Sequence, residues 1–131
     1  KNKIYSSEPN RPGLLFAGYT KDFPAKRVQI LGNREIGYLK HLSKRERERA
    51  IELLISLKVP AIIITHSLSP FAYMVKKCSE KGIPLIKSKK ASIEVASSMH
   101  LYLEDKLAPF KTIHGSLMDI YGAGILFTGE S

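Results

Sequence analysis

The run Ala61-Ile62-Ile63-Ile64-Thr65 constrains this chain more than any other feature. Three consecutive isoleucines leave no polar alternation, so the segment cannot lie with one face in water. A short, continuous, β-branched run of this kind reads as a strand buried on both faces. Such a strand needs helices covering it, and its parallel neighbours need crossover helices to reach it. The flanking sequence supplies both.

Upstream, Val28-Gln29-Ile30-Leu31 reads as a strand closed by Gly32-Asn33, and a short helix follows over residues 35–42. Ser43-Lys44-Arg45-Glu46 is a capping box, in which Ser43 accepts from the Glu46 amide while Glu46 reaches back. The helix it opens places Ala50, Ile51, Leu54 and Leu57 on one face. Its charged side alternates Arg45, Arg47 and Arg49 with Glu46, Glu48 and Glu52, the pattern of a solvated surface. Pro60 is expected to stop it. Downstream, Ser69-Pro70 predicts a helix start, with the serine as cap and the proline in the first turn. Phe71, Met74, Val75 and Cys78 form its expected buried stripe, and Gly82 its end. Ile83-Pro84-Leu85-Ile86 is a third strand. Residues 92–108 predict a longer helix burying Ile93, Ala96, Met99, Leu103 and Leu107, ended by Pro109. Residues 112–121 and Ile125-Leu126-Phe127, joined by Gly122-Ala123-Gly124, predict a β-hairpin leading away from the sheet. The fold class is α/β: a small mixed or partly parallel sheet with flanking helices, followed by that hairpin.

At 131 residues the chain fits a single domain, and 44% hydrophobic with 25% charged residues is a globular composition. No apolar run reaches the roughly 18 residues of a membrane span, and Lys1-Asn2-Lys3-Ile4 is no signal-peptide core. The single cysteine, Cys78, excludes an internal disulfide and fits a reducing, cytoplasmic setting. The net charge is +9, with Lys76, Lys77, Lys81, Lys87, Lys89 and Lys90 set against Glu80 alone in one stretch. That stretch reads either as a solvated rim or as a basic nucleic-acid-binding surface. No aromatics or arginines are interleaved with these lysines, which favours the rim.

The tail carries more. An apolar strand running into Gly129-Glu130-Ser131 is how a phosphate-binding loop begins, with a glycine turning backbone amides toward phosphate. The chain lacks an initial methionine and stops just after this apolar run, so it is expected to be a piece of something longer. The whole run Ile113-His114-Gly115-Ser116-Leu117-Met118-Asp119-Ile120-Tyr121-Gly122-Ala123-Gly124-Ile125-Leu126-Phe127-Thr128-Gly129-Glu130-Ser131 closely resembles the approach to the Walker A loop of HPr kinase/phosphorylase. Arg11-Pro12-Gly13-Leu14, Ala17-Gly18-Tyr19 and Arg27-Val28-Gln29-Ile30-Leu31-Gly32 resemble that family's N-terminal region. Pro60-Ala61-Ile62-Ile63-Ile64-Thr65 and Gly82-Ile83-Pro84-Leu85 match in the same order.

The resemblance implies a bifunctional, Mg-dependent enzyme of bacterial carbon-source regulation. It phosphorylates a serine of the phosphocarrier HPr with ATP or pyrophosphate and reverses the modification by phosphorolysis. It also implies a homohexamer built on a C-terminal kinase domain, and an N-terminal domain resembling the first domain of MurF-like ligases. Residues 1–110 would be that N-terminal domain and residues 111–131 the start of the kinase domain. His114 matches the active-site histidine, and Gly129, Glu130 and Ser131 match the first positions of the nucleotide loop. The loop lysine, the Mg ligands and the catalytic aspartate would lie beyond Ser131, so these residues alone are expected to be inactive. His41, His66 and His100 show no metal-like spacing. At His66 the family usually carries arginine, and Ser67-Leu68-Ser69-Pro70 lacks its usual acid, which bears on any partner contact through that loop. Asp119 reads as an exposed strand-end carboxylate, and Gly122 and Gly124 as turn formers.

Overall fold

Residues 8–105 and 124–127 are described by a computed structural model, with side chains placed for residues 8–100. The expected strands form around the isoleucine run. β1 (Gln29–Leu31), β2 (Ile62–Ile64) and β3 (Leu85–Lys87) pair in parallel in that order, with Ile30 opposite Ile63 and Ile63 opposite Ile86. Asn10 extends the β1 edge through a parallel bridge to Gln29. Ile62, Ile63 and Ile64 are each at most 1% exposed, as a strand covered on both faces must be.

The helices divide between those faces. α1 (Gly13–Phe16), α2 (Asn33–His41), α3 (Lys44–Ser56) and α4 (Ala72–Lys81) lie in the connections leading to and between the parallel strands. Right-handed crossovers through strands laid in sequential order place their helices on one side. That side holds the main core, where Leu31, Ile62, Ile64 and Leu85 meet Leu15, Ile36, Leu39, Ile51, Leu54, Met74 and Cys78. Ile30, Ile63 and Ile86 alternate to the other face, where α5 (Ser92–Asp105) packs against β1 and buries Val95 and Met99.

Local signals set most boundaries. Ser43 Oγ accepts from the Glu46 amide and Glu46 Oε1 accepts from the Ser43 amide, each at 3.2 Å, so the capping box forms. Gly82 ends α4 in the left-handed region at φ 72°, a conformation that favours glycine.

Four expectations are corrected. α3 ends at Ser56, ahead of Pro60, because Leu57 and Lys58 bond back to Leu54 and Ile55 and Lys58 turns left-handed at φ 57°. Ser69-Pro70 does not open α4. Phe71 is the extended residue before the first turn, with its ring half-buried and Arg47 stacked 5.0 Å over it. That aromatic anchor fixes where the helix can start. Ile93 is 77% exposed and not buried. The inward stripe is Ser92, Val95 and Met99, since the Ser92 hydroxyl is drawn beneath the sheet end and rotates Ile93 outward. Finally, β4 (Gly124–Phe127) does not lead away but lies antiparallel against β3 at the sheet edge, and Gly124 belongs to it instead of to a turn. The other arm of the expected hairpin, residues 112–121, falls outside the described residues, as do Leu107 and Pro109.

Cys78 sits at 0% exposure in the core and burial pushes its thiol up to about 12. It is therefore a packing residue. Native protein is expected to leave Cys78 unmodified by a thiol reagent for as long as the fold stays closed. Labelling should accelerate in parallel with loss of the circular-dichroism signal as denaturant is added, and rapid labelling of native protein would contradict the burial.

Candidate functional site

In parallel sheets the carboxyl ends of the strands are where ligands are ordinarily received. In this chain the connections after β1 and β2 turn to one face and the connection after β3 turns to the other, so the crevice belongs between β2 and β3. Polar side chains gather there, and among the described residues four of the five buried polar ones, Glu35, Thr65, Ser88 and Ser92, stand at this edge.

Its centre is Glu35. Asn33 opens α2 directly after β1, which puts the Glu35 carboxylate at the first turn of the helix, where exposed amides favour negative charge. Glu35 Oε1 accepts from the Gly32 amide at 2.8 Å. Arg11 grips the same carboxylate with two bonds, Nε to Oε2 at 3.1 Å and Nη2 to Oε1 at 2.9 Å. Burial alone would raise the Glu35 carboxyl, but the Arg11 hydrogen bonds, the backbone amides and the guanidinium charge outweigh it and hold it below its ordinary value.

Gly32 joins this pair to α5. Its backbone is extended, at φ −111° and ψ −157°, which any residue adopts, so the glycine is present for space. A Cβ there would overlap Ser92 Oγ and stand 2.9 Å from Arg11 Nη2 and 3.2 Å from Thr65 Oγ1. Thr65 and Ser92 hydroxyls bond each other at 2.5 Å, and Thr65 Oγ1 donates to the Leu31 carbonyl at 3.3 Å. The Ser92 amide, in the first turn of α5, donates to His66 Nε2 at 3.3 Å. His66 and Ser67 hold left-handed φ angles of 58° and 57°. Their amides donate to the Lys90 and Ser88 carbonyls, both at 2.9 Å. The β2–β3 crevice is thus laced shut by its own loops. Chemically this arrangement is a clasp, in which the buried groups bind one another and pin the start of α5 to the sheet.

Gly32→Val is expected to lower stability by about 1–3 kcal/mol through overpacking. Thermal melts of Gly32→Ala with and without Ser92→Gly separate the cause: the second change should restore part of the loss. Additive losses would show that the overlap with Ser92 is not what makes glycine necessary.

A second polar group lies between α3 and α4. The Tyr73 hydroxyl donates to Glu52 Oε1 at 2.7 Å, and Lys77 Nζ lies 3.6 Å from Glu52 and 3.5 Å from Glu80. This network ties the two helices at the surface.

Of the residues singled out from the sequence, His114, Gly129, Glu130, Ser131, Asp119 and Gly122 lie outside the described residues. His41 is exposed at the end of α2, His66 serves α5, and His100 is half-buried within α5, so the three stay apart. Among the described residues no group of histidine, cysteine and carboxylate side chains is arranged to hold a metal ion, and no helix is long and apolar enough to cross a membrane. The lysines of residues 76–90 are spread over α4, β3 and the loop after it, and Lys77 is committed to Glu52 and Glu80. The Arg11–Glu35 pair has no local signature beyond an acid three residues after a glycine; its two partners are 24 positions apart.

Comparison with known proteins places this architecture. A family described as HPr Serine kinase N terminus matches residues 1–103. The chain belongs to that family. An HPr kinase/phosphorylase of Lactiplantibacillus plantarum is 40% identical over 131 residues, covering 100% of this chain and 42% of the relative. The HPr kinase/phosphorylase of Chlorobium phaeovibrioides is 37% identical over 131 residues, covering 100% and 40% respectively. The chain therefore spans about two-fifths of the length of these curated relatives. The small α/β domain with its parallel strands is the part of the chain that the family match covers, and no comparison supports the nucleic-acid-binding alternative.

Proposed function

We propose that these residues form the N-terminal part of a bifunctional HPr kinase/phosphorylase, acting in the cytoplasm on the phosphocarrier HPr. The observation that carries this is identity of 37–40% across the whole chain with proteins bearing that name. Residues 1–110 are read as the N-terminal domain and residues 111–131 as the entry to the kinase domain, with β4 completing the sheet across that boundary. β4 ends at Phe127, immediately before Thr128-Gly129-Glu130-Ser131, which is the strand-then-glycine order of a phosphate loop.

In this reading the HPr serine oxygen attacks the terminal phosphorus of ATP or pyrophosphate, and the bond to the bridging oxygen breaks. The serine proton passes to a base supplied by the rest of the kinase domain. In the reverse direction an oxygen of inorganic phosphate attacks the phosphoserine phosphorus, the serine oxygen leaves and takes up a proton, and pyrophosphate is released. Mg, when bound, neutralises phosphate charge; the residues that would hold it are not among those described. His114 contributes a hydrogen bond or positive charge to the transferring phosphate. Gly129, Glu130 and Ser131 open the loop that receives the nucleotide, in a protein that assembles as a homohexamer.

The test uses the full-length protein with purified HPr and Mg. Phosphoserine should form with ATP or with pyrophosphate, and inorganic phosphate should remove it with release of pyrophosphate. A folded wild-type protein inactive on HPr in both directions would overturn the reading.

A further inference from the structure

The helical layer carries an apolar exposure that the fold does not use. Leu14 is 70%, Tyr19 57% and Tyr38 37% exposed. The Tyr19 amide donates to the Leu14 carbonyl at 2.9 Å, which curls the chain after α1 and holds the two residues together. Beside them a groove of about 250 Å³ runs between α1, α2 and α3, lined by Leu15, Phe16, Ala50 and Leu53, with Tyr38 and Arg49 among the residues bordering it. Beyond Arg49 and Leu53 a wider, open depression of about 760 Å³ continues along α3, lined in part by Lys44, Arg45 and Glu48.

Glu46, Glu48 and Glu52 stand beside Lys44, Arg45 and Arg49 along the groove and the depression. A cation excess arises because Lys77 offsets Glu52 and Arg34 adds a fourth cation nearby. Ion pairs among the described residues use Arg11, Arg27 and Lys77, and none engages Arg34, Lys44, Arg45 or Arg49. Arg34 lies one turn before Tyr38 on the same face of α2. Nearby acids are already occupied in part, since Glu46 caps α3 and Glu52 holds Tyr73 and Lys77.

We propose that this surface docks an acidic amphipathic segment of a protein partner, with an apolar side chain in the groove and carboxylates over the four cations. An apolar anchor ringed by charges is the arrangement of helix-in-groove recognition. A polyanionic nucleic acid fits less well, because Glu46 and Glu48 sit among the cations and the groove is apolar. A second copy of the chain fits less well too, because a two-fold contact would set these unpaired cations against themselves. None of these residues has a part in the phosphoryl-transfer reading.

The probe is a short, fluorescently labelled, helix-forming peptide with Leu and Phe one turn apart and flanking glutamates, titrated into the full-length protein. A scrambled peptide of the same composition is the control. Saturable binding of the first alone is expected, weakened at least about tenfold by Tyr38→Ser or by Arg49→Glu. A peptide carrying lysine in place of one glutamate should recover binding to Arg49→Glu, an exposed change that leaves the core untouched. Equal binding of both peptides, or none, overturns the proposal. So does competition by duplex DNA that is lost in Arg49→Glu, or self-association in sedimentation that is lost in Leu14→Ser.

Discussion

His114→Ala in the full-length protein is expected to reduce both HPr phosphorylation and phosphorolysis by about a hundredfold or more. Phosphoryl transfer asks for placed positive charge and in-line geometry more than for covalent chemistry, and a group near the phosphates serves both directions of one reaction. The fall should therefore appear in both assays to a similar extent. It should appear mainly in kcat, with the melting temperature and assembly unchanged. His114→Gln, which keeps a hydrogen-bond donor without the titratable ring, should recover part of the rate. A variant that retains full activity in both directions would remove His114 from the phosphates while leaving the family membership intact. Loss of one direction alone would point to a role in the nucleophile's proton instead of in the phosphate's charge.

Glu35→Ala is expected to cost about 2–3 kcal/mol of folding stability, the largest single loss at the carboxyl edge of the sheet. The substitution strips the acceptor from the buried Gly32 amide and leaves the Arg11 guanidinium without its carboxylate. The upper range for a broken buried pair is not reached, because the Arg11 side chain is 44% exposed and water can replace its partner. The pH dependence has a definite sign. With its native carboxyl below the ordinary 4.5, Glu35 adds stability that is fully present above 4.5. That contribution is lost as pH falls through the lower native value. The stability gap between wild type and Glu35→Ala should then be constant near neutrality and narrow steadily in acid. A gap independent of pH would mean that packing, not the ionised carboxylate, accounts for the loss.

The strength of both Glu35 and Gly32 was illegible in the linear chain, and the reason is distance. A capping box such as Ser43 with Glu46 closes within four residues, so its partners are visible side by side and the structure forms it as expected. Arg11 reaches Glu35 only after α1 and β1 have been laid down, and Gly32 is hemmed in by Ser92 only after β3 has joined the sheet and brought the chain to the same edge. Ile93 shows the same limit. Helical spacing alone allows either Ile93 or Val95 to face inward, and the tie between Ser92 and Thr65 chose Val95. Phe71 likewise displaced Ser69 from the start of α4, since burying a ring against the core outweighs a hydroxyl cap at the surface.

Periodicity and punctuation were enough for the elements themselves: the isoleucine strand buried on both faces, the capped helix before it, the glycine stop of α4 and the α/β class. The motif run into Gly129 was enough for the family. These are properties of short windows, in which side-chain pattern and backbone geometry act together. Tertiary structure alone decided that the crevice between β2 and β3 is closed by its own loops, that the Glu35 carboxylate meets the amides at the head of α2, and that Leu14, Tyr19 and Tyr38 are left facing water. Each depends on which surfaces meet when distant segments pack, and hydrophobic burial fixes that meeting for the whole chain at once.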